Sequence, residues 1–176
     1  MSVQPQPAPE ILKETPKEAA RRLAASQLRA GFKPQALHEY QGAEGEPLYW
    51  RIRMKHPKTG EKWIRPMRFN GTGYELGEPK LESGKPLYRL PDIAVHSNAP
   101  VWLVEGENCA DALAALGMTA TTCGAVGSVD KANWQPLTGR DVIIWPDNDD
   151  PGRRFAEEIT TRLQAISCQI RWVDIA

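Results

Sequence analysis

Two acidic clusters each follow a short apolar run. Val101-Trp102-Leu103-Val104 leads into Glu105-Gly106-Glu107, and Val142-Ile143-Ile144-Trp145 leads into Pro146-Asp147-Asn148-Asp149-Asp150. Short apolar runs of this kind, each followed by a helix-like stretch, suit buried strands of a parallel sheet. In open α/β sheets ligands bind outside the carboxyl ends of strands, where neighbouring connections leave to opposite faces. Carboxylates gathered there repel one another unless cations neutralise them. Oxygen donors without His or Cys suit a hard divalent ion, Mg2+ or Mn2+, and such an ion can hold phosphates.

Glu105 is the strongest single candidate. Gly106 behind it permits a tight strand-to-helix turn, and a glutamate at a strand's carboxyl end can ligate metal or act as a general acid/base. A lone glutamate in a loop would by default be solvated. Asp147 and Asp149 are two apart, which in an extended segment turns both carboxylates to one side. An Asp-x-Asp pair alone is a weak signal; paired with Glu105 on a neighbouring strand it becomes a candidate metal site.

The surrounding charges have blander readings. Asp150-Pro151 fits an N-cap followed by Pro at the first helical position. Asp111 lies three residues after Asn108, a variant of the capping box. Capping and an outer-shell role at the site remain alternatives for both. Glu107 is expected to be outer-shell or exposed. Arg153 and Arg154 would lie in the first turn of the helix after Asp149, where a cation opposes the helix dipole by about 0.3–1 kcal/mol. A bound anion or the nearby aspartates would account for them, so they are candidate phosphate contacts beside a plain salt bridge to Asp150. The loop from Gly124 to Lys131 offers two glycines and a lysine to a phosphate, but no Gly-Lys-Ser/Thr follows.

A different chemistry is suggested upstream. Tyr49, Arg51, Arg53 and Lys55 alternate with Trp50, Ile52 and Met54, a period of two with one basic and one apolar face. The turn His56-Pro57-Lys58-Thr59-Gly60 leads to a returning strand, Lys62 to Phe69, that adds Lys62 and Arg68. Basic side chains interleaved with aromatics on strands suit single-stranded nucleic acid; solvated charge over a packed core is the competing reading. The alternation itself puts Trp50 in the core with Ile52 and Met54.

Composition sets bounds on these readings. The 176 residues carry 22 Lys/Arg and 22 Asp/Glu, unevenly placed. Residues 1–98 hold 16 basic and 11 acidic side chains, a net of +5, and residues 99–176 hold 6 and 11, a net of −5. That asymmetry fits a basic surface for a polyanion beside an acidic metal site. Cys109, Cys123 and Cys168 have no Cys-x-x-Cys spacing, which argues against a zinc ribbon or a disulfide scaffold and for a reducing, cytoplasmic compartment. No apolar run approaches the roughly 20 residues that span a bilayer, so no membrane partner is expected. His38, His56 and His96 have no clustered ligand or nucleophile near them in sequence.

The elements that must position the acids follow from periodicity and turn chemistry. Residues 1–15 read as a flexible, Pro-rich lead. Thr15-Pro16 starts a helix expected to run to about Arg29 and stop at Gly31. Residues 16–98 form this helix and a basic β-rich subdomain, with Leu87–Leu90 as a short edge strand. Residues 99–176 alternate strands near 101–104, 119–122, 142–145 and 169–173 with helices near 108–116 and 151–166, and a helical turn at 132–134. This predicts an α/β fold with a parallel four-stranded sheet. For the acidic ends to meet, the first and third strands must be neighbours, as in the order 2-1-3-4.

With these motifs in place, residues 101–174 resemble a Toprim domain, the Rossmann-like module of topoisomerases, bacterial-type primases and some nucleases. The matching residues are Val-Glu-Gly-Glu at 104–107, Asp111-Ala112-Leu113, Trp145-Pro-Asp-Asn-Asp at 145–149, and Gly152. The similarity is greatest to primase-type Toprim proteins of phages, plasmids and integrated elements, in which a basic β-rich segment with a stretch like Pro86–Pro91 precedes the domain. The resemblance implies that Glu105 is the acid/base or metal-ligand glutamate, that Asp147 and Asp149 bind Mg2+ or Mn2+, and that Asp174 contributes near the site. It implies metal-dependent nucleotidyl transfer, with RNA primers made from ribonucleotides on a single-stranded DNA template during DNA replication. It also implies partners, a helicase or a zinc-binding primase module. Two alternatives remain: a Toprim nuclease using the same acids, and a non-catalytic nucleic-acid or protein-binding module with a vestigial metal site.

Overall fold

The computed structural model describes residues 14–124 and 126–174. They fall into two compact units: the described residues up to His38 together with Tyr49–Glu78, and Glu39–Leu48 together with the described residues from Pro79 onward. The expected lead lies, up to residue 13, outside the described residues.

In the first unit, α1 (Pro16–Leu23) begins where the Thr-Pro pair predicts. Thr15 and Glu18 form a capping box: the Glu18 N–H donates to Thr15 Oγ1 at 3.3 Å, and the Thr15 N–H donates to Glu18 Oε2 at 2.8 Å. These bonds satisfy N–H groups that a helix start otherwise leaves open. The single helix expected to reach Arg29 is instead two. The backbone leaves helical geometry at Ala24 (φ −95°, ψ 13°), and α2 (Ala25–Arg29) follows. Ala24 is buried in the unit's core, so packing at the bend overrides the helical propensity of the run.

The strands β1 (Lys33–Gln41), β2 (Pro47–Lys55), β3 (Lys62–Phe69) and β4 (Tyr74–Leu76) form one sheet in that order. β2 and β3 are antiparallel with Trp50 opposite Met67, Ile52 opposite Arg65 and Met54 opposite Trp63. Trp50, Ile52, Met54 and Met67 join Ala19, Ala20, Ala24 and Phe32 in one core. Trp50 is thus a packing residue, as its alternation predicts. Trp50→Ala should cost about 3–5 kcal/mol of stability, read as a shifted midpoint in urea unfolding; an unshifted midpoint would remove it from the core. Tyr49 is buried as well, so burial on β2 is not strictly one-sided, and Tyr49 does not belong to an open basic face. Neither β1 nor β4 was expected.

The second unit contains α3 (Leu90–Val95), β5 (Val101–Val104), α4 (Glu107–Ala115), β6 (Thr119–Thr121), β7 (Asp141–Trp145), α5 (Asp150–Ala165) and β8 (Gln169–Trp172). The sheet order is β6-β5-β7-β8, parallel at every junction. This is the order 2-1-3-4, and it makes the two strands that end in acids neighbours. From β5 the chain moves one way along the sheet, and from β7 the other way. Right-handed crossovers therefore place α4 and α5 on opposite faces. Phe155, Ala156, Ile159 and Leu163 of α5 pack on Val101, Leu103, Val142 and Ile144, while Val104 and Trp145 of the alternate face border α4.

The segment 87–90 is not an edge strand. The Tyr88 N–H donates to Thr122 O at 2.9 Å, and Thr121 Oγ1 donates to Tyr88 O at 2.6 Å. Arg89 then adopts a left-handed conformation (φ 58°) and turns the chain into α3, which ends any strand ladder. The long connection before β7 carries 3-10 turns at Val126–Lys131 and Gln135–Leu137. They flank the expected turn at 132–134, where Trp134 is buried and its indole N–H donates to Val129 O at 2.9 Å. Among the described residues no helix is long and apolar enough to cross a membrane.

Candidate active site

β5 and β7 run side by side, with Val104 opposite Trp145. Glu105 thus leaves β5 beside the point where Pro146 and Asp147 leave β7. The Asp147 N–H donates to Glu105 Oε1 at 3.0 Å, which ties the two strand ends together. Burial raises the Glu105 carboxyl above its ordinary value; the Asp147 N–H opposes this, and the charges of Asp147 and Asp149 add to it. The carboxylate is therefore short of positive charge, the condition a bound cation relieves.

The turn after β7 is tight. The Asp149 N–H donates to Asp147 O at 2.9 Å, and Asp149 Oδ1 accepts the Gly152 N–H at 2.7 Å. Asp149, not Asp150, is the N-cap of α5. The chain enters the helix one residue earlier than the Asp-Pro pattern suggests, and Pro151, which has no N–H to leave open, is accommodated within the first turn. Asp150 is exposed as the first helical residue. Asp149→Ala should cost about 0.5–2 kcal/mol, whereas Asp150→Ala should change thermal unfolding little; equal losses would contradict this assignment.

Gly152 sits directly beneath the acids. A Cβ there would stand on Glu105 Oε1 and 2.5 Å from Asp147 O, closer than real Cβ atoms come. On the α5 side, Asp147, Asp149, Glu157 and Asp174 line a cleft of about 250 Å³ together with Arg153. Asp174 therefore shares a cleft with the Asp-x-Asp pair. Arg154 is exposed and is not part of that lining. Among the described residues no three His, Cys, Asp or Glu side chains are grouped closely enough to hold a metal ion. Glu105 commits one oxygen to the Asp147 N–H and Asp149 one to Gly152; each carboxylate has a second.

On the α4 side the expectations change. Helix α4 starts from Gly106 without a side-chain cap, so Asn108 and Asp111 form no capping box. Asp111 accepts the Tyr88 hydroxyl at 3.0 Å and Arg89 Nη1 at 3.1 Å. Burial first, then Asp111, pushes the Tyr88 phenol well above its ordinary range, so it stays a donor. Glu107 is buried, only 3% exposed, and accepts the Tyr40 hydroxyl at 2.7 Å. It is neither exposed nor directed to solvent. Lys85 is buried too, with Nζ 3.2 Å from Ser128 Oγ and 5.9 Å from the Tyr40 ring centre. Tyr40, Lys85, Tyr88 and Arg89 were missed from sequence. The Pro-Leu-Tyr-Arg-Leu-Pro stretch at 86–91 is a sequence signal that includes two of them, Tyr88 and Arg89.

The other candidate side chains are basic. Val126–Lys131 winds into a 3-10 turn, Lys131 is exposed, and its carbonyl accepts the Lys85 N–H at 2.7 Å. In the first unit, the register places Arg51, Arg53, Lys55 and Lys62 on one face of β2–β3, with Lys55 opposite Lys62. Lys55 and Lys62 are exposed and Arg53 is half-buried. Arg68 pairs with Glu75 at 2.7 Å and donates to Glu78 O at 3.2 Å, so it is already engaged within the unit.

No family model matches the chain, and no curated protein matches it in sequence.

Proposed function

We propose that the second unit is a Toprim-type, primase-like core that performs metal-dependent nucleotidyl transfer, making RNA primers on single-stranded DNA. The observation that carries this reading is the meeting of Glu105 with the Asp147–Asp149 turn at the ends of two adjacent parallel strands. The oxygen-only donors and the raised Glu105 carboxyl fit Mg2+ or Mn2+. The remaining oxygens of Glu105, Asp147 and Asp149 would hold the ion, which when bound neutralises phosphate charge on the nucleotide. Glu105 stands where it could ligate the ion or accept the proton of the attacking hydroxyl. Arg153 supplies positive charge at the cleft for a phosphate.

A second, non-catalytic reading is favoured by one observation: Glu105 and Asp149 both bond backbone N–H groups and so already serve the fold. The experiment that separates the readings is incubation with single-stranded DNA, ribonucleotides and Mg2+ or Mn2+, with helicase or zinc-binding primase modules added. Short RNA supports the primase. DNA loss without synthesis assigns the same acids to a nuclease. Neither product, with Mn2+ bound or unbound, leaves a binding module.

The template would lie on the basic face of β2–β3. Each phosphate contact to a single strand contributes a slope of about −0.7 in log K against log salt. Replacing Arg53, Lys55 and Lys62 together by Ala should reduce the slope by about 2 if each makes one contact. A slope unchanged in fluorescence-anisotropy titrations would mark the face as solvated surface.

A further inference from the structure

Asp147 belongs to two cavities. One is the acidic cleft on the α5 side. The other, about 230 Å³, opens on the α4 side and is lined by Val104, Cys109, Ala112, Leu113, Trp145 and Pro146 as well as Asp147. Its walls are almost wholly apolar, and it lies at the switch point where α4 and α5 leave to opposite faces of the sheet. Trp145 is 39% exposed there. It is not loose: the Trp102 ring stands behind it with centroids 5.9 Å apart. An exposed, braced indole beside an acidic turn is costly surface for packing alone, and it suits an occupant with a flat ring at one end and anionic oxygens at the other.

We propose that this pocket takes the base of a nucleoside triphosphate whose metal-bound phosphates lie at Asp147 and Asp149. The inference rests on the functional reading above and adds the base site to it. Whole-ligand pockets span about 300–1,000 Å³, so this smaller one suits a single heterocycle. Trp145 is the stacking platform, with Val104 beside it on the sheet and Ala112 and Leu113 supplied by α4. Besides the Trp145 indole N–H, the side chains of the lining offer only the Cys109 thiol and Asp147 as polar groups, so binding depends on the aromatic face of the base more than on its edge. All four ribonucleotides should bind with similar affinity.

Cys109 reports occupancy. It is exposed, whereas Cys123 is buried, and the partly buried Cys168 thiol donates to Leu137 O and is pushed up in pKa, chiefly by burial. In a Cys168→Ser background, maleimide labelling therefore reads Cys109. At about four times its Kd, Mn2+–ATP should slow labelling by about fivefold, the factor 1 + [L]/Kd for a protected site. Mn2+ with inorganic triphosphate, or adenosine alone, should leave the rate nearly unchanged. Trp145→Ala should abolish the protection and weaken Mn2+–ATP binding by about 5- to 100-fold while Mn2+ binding alone is kept; Trp145→Phe should restore most of it. Mn2+–ATP binding that leaves Cys109 labelling unchanged and is indifferent to Trp145→Ala would overturn the pocket and spare the functional reading. Equal protection by adenosine would overturn the link to the acids. Failure to bind Mn2+ at all would overturn the functional reading and the pocket with it.

Discussion

On the proposed primase function, Glu105→Gln should reduce primer synthesis by about 10²–10⁴-fold, the range for removal of a positioned acid/base, and leave the protein folded. Gln keeps the shape and the acceptor oxygen, so the bond from the Asp147 N–H survives. What is lost is the negative charge and the ability to take a proton. The substitution should also change stability in a direction opposite to that of most site mutations. Burial holds the Glu105 pKa above its ordinary value, so in the metal-free protein the native state retains this proton more tightly than the unfolded chain. Native stability from this group is then fully present at acid pH and is lost as pH rises from about 4.5, the ordinary value, through the raised one. In chelator, wild type should lose stability across that window relative to Glu105→Gln. Added Mn2+ should reverse the order, because only the carboxylate gains from the cation. Parallel urea titrations with and without metal measure both effects; identical pH profiles in chelator would mean Glu105 is not held in the strained ionic setting described.

The sequence made the second unit readable because its signals were redundant. β5 and β7 are short apolar runs bounded by turn residues, their helices have apolar faces, and the acids had to converge for either cluster to have a purpose. These constraints together select the 2-1-3-4 order, which is the one observed. The first unit was less legible. β1 begins Lys33-Pro34-Gln35 and stays largely exposed until His38, so it lacks the alternation that marked β2. β4 has three residues, too few for a period. The site was legible in its members but not in its bonding. Whether Asp149 or Asp150 caps α5 depends on where the chain turns, and both satisfy the same local pattern. Tyr40 reaching Glu107, 67 residues away, and Tyr88 reaching Asp111 depend on tertiary placement that no local pattern encodes.

Gly152 provides the most severe test of how the site is built. It lies in the first turn of α5, where Ala is ordinarily the better helix former by about 1 kcal/mol. Propensity alone therefore predicts that Gly152→Ala stabilises the protein. Packing predicts the reverse. The added methyl would meet Glu105 Oε1 and Asp147 O; neither retreats easily, because Oε1 is held by the Asp147 N–H and Asp147 O accepts the Asp149 N–H. Either the Glu105 carboxylate swings away, breaking the tie between the β5 and β7 ends, or the 147–149 turn shifts and takes the Asp149 cap with it. Overpacking of this kind costs about 1–3 kcal/mol, more than the propensity gain. The expected result is a net loss of stability together with loss of Mn2+ binding, although no acidic residue has been touched. Gly152→Ala that is more stable than wild type and binds Mn2+ unchanged would show that the strand ends do not depend on this close approach, and that Glu105 and the aspartate turn are positioned independently.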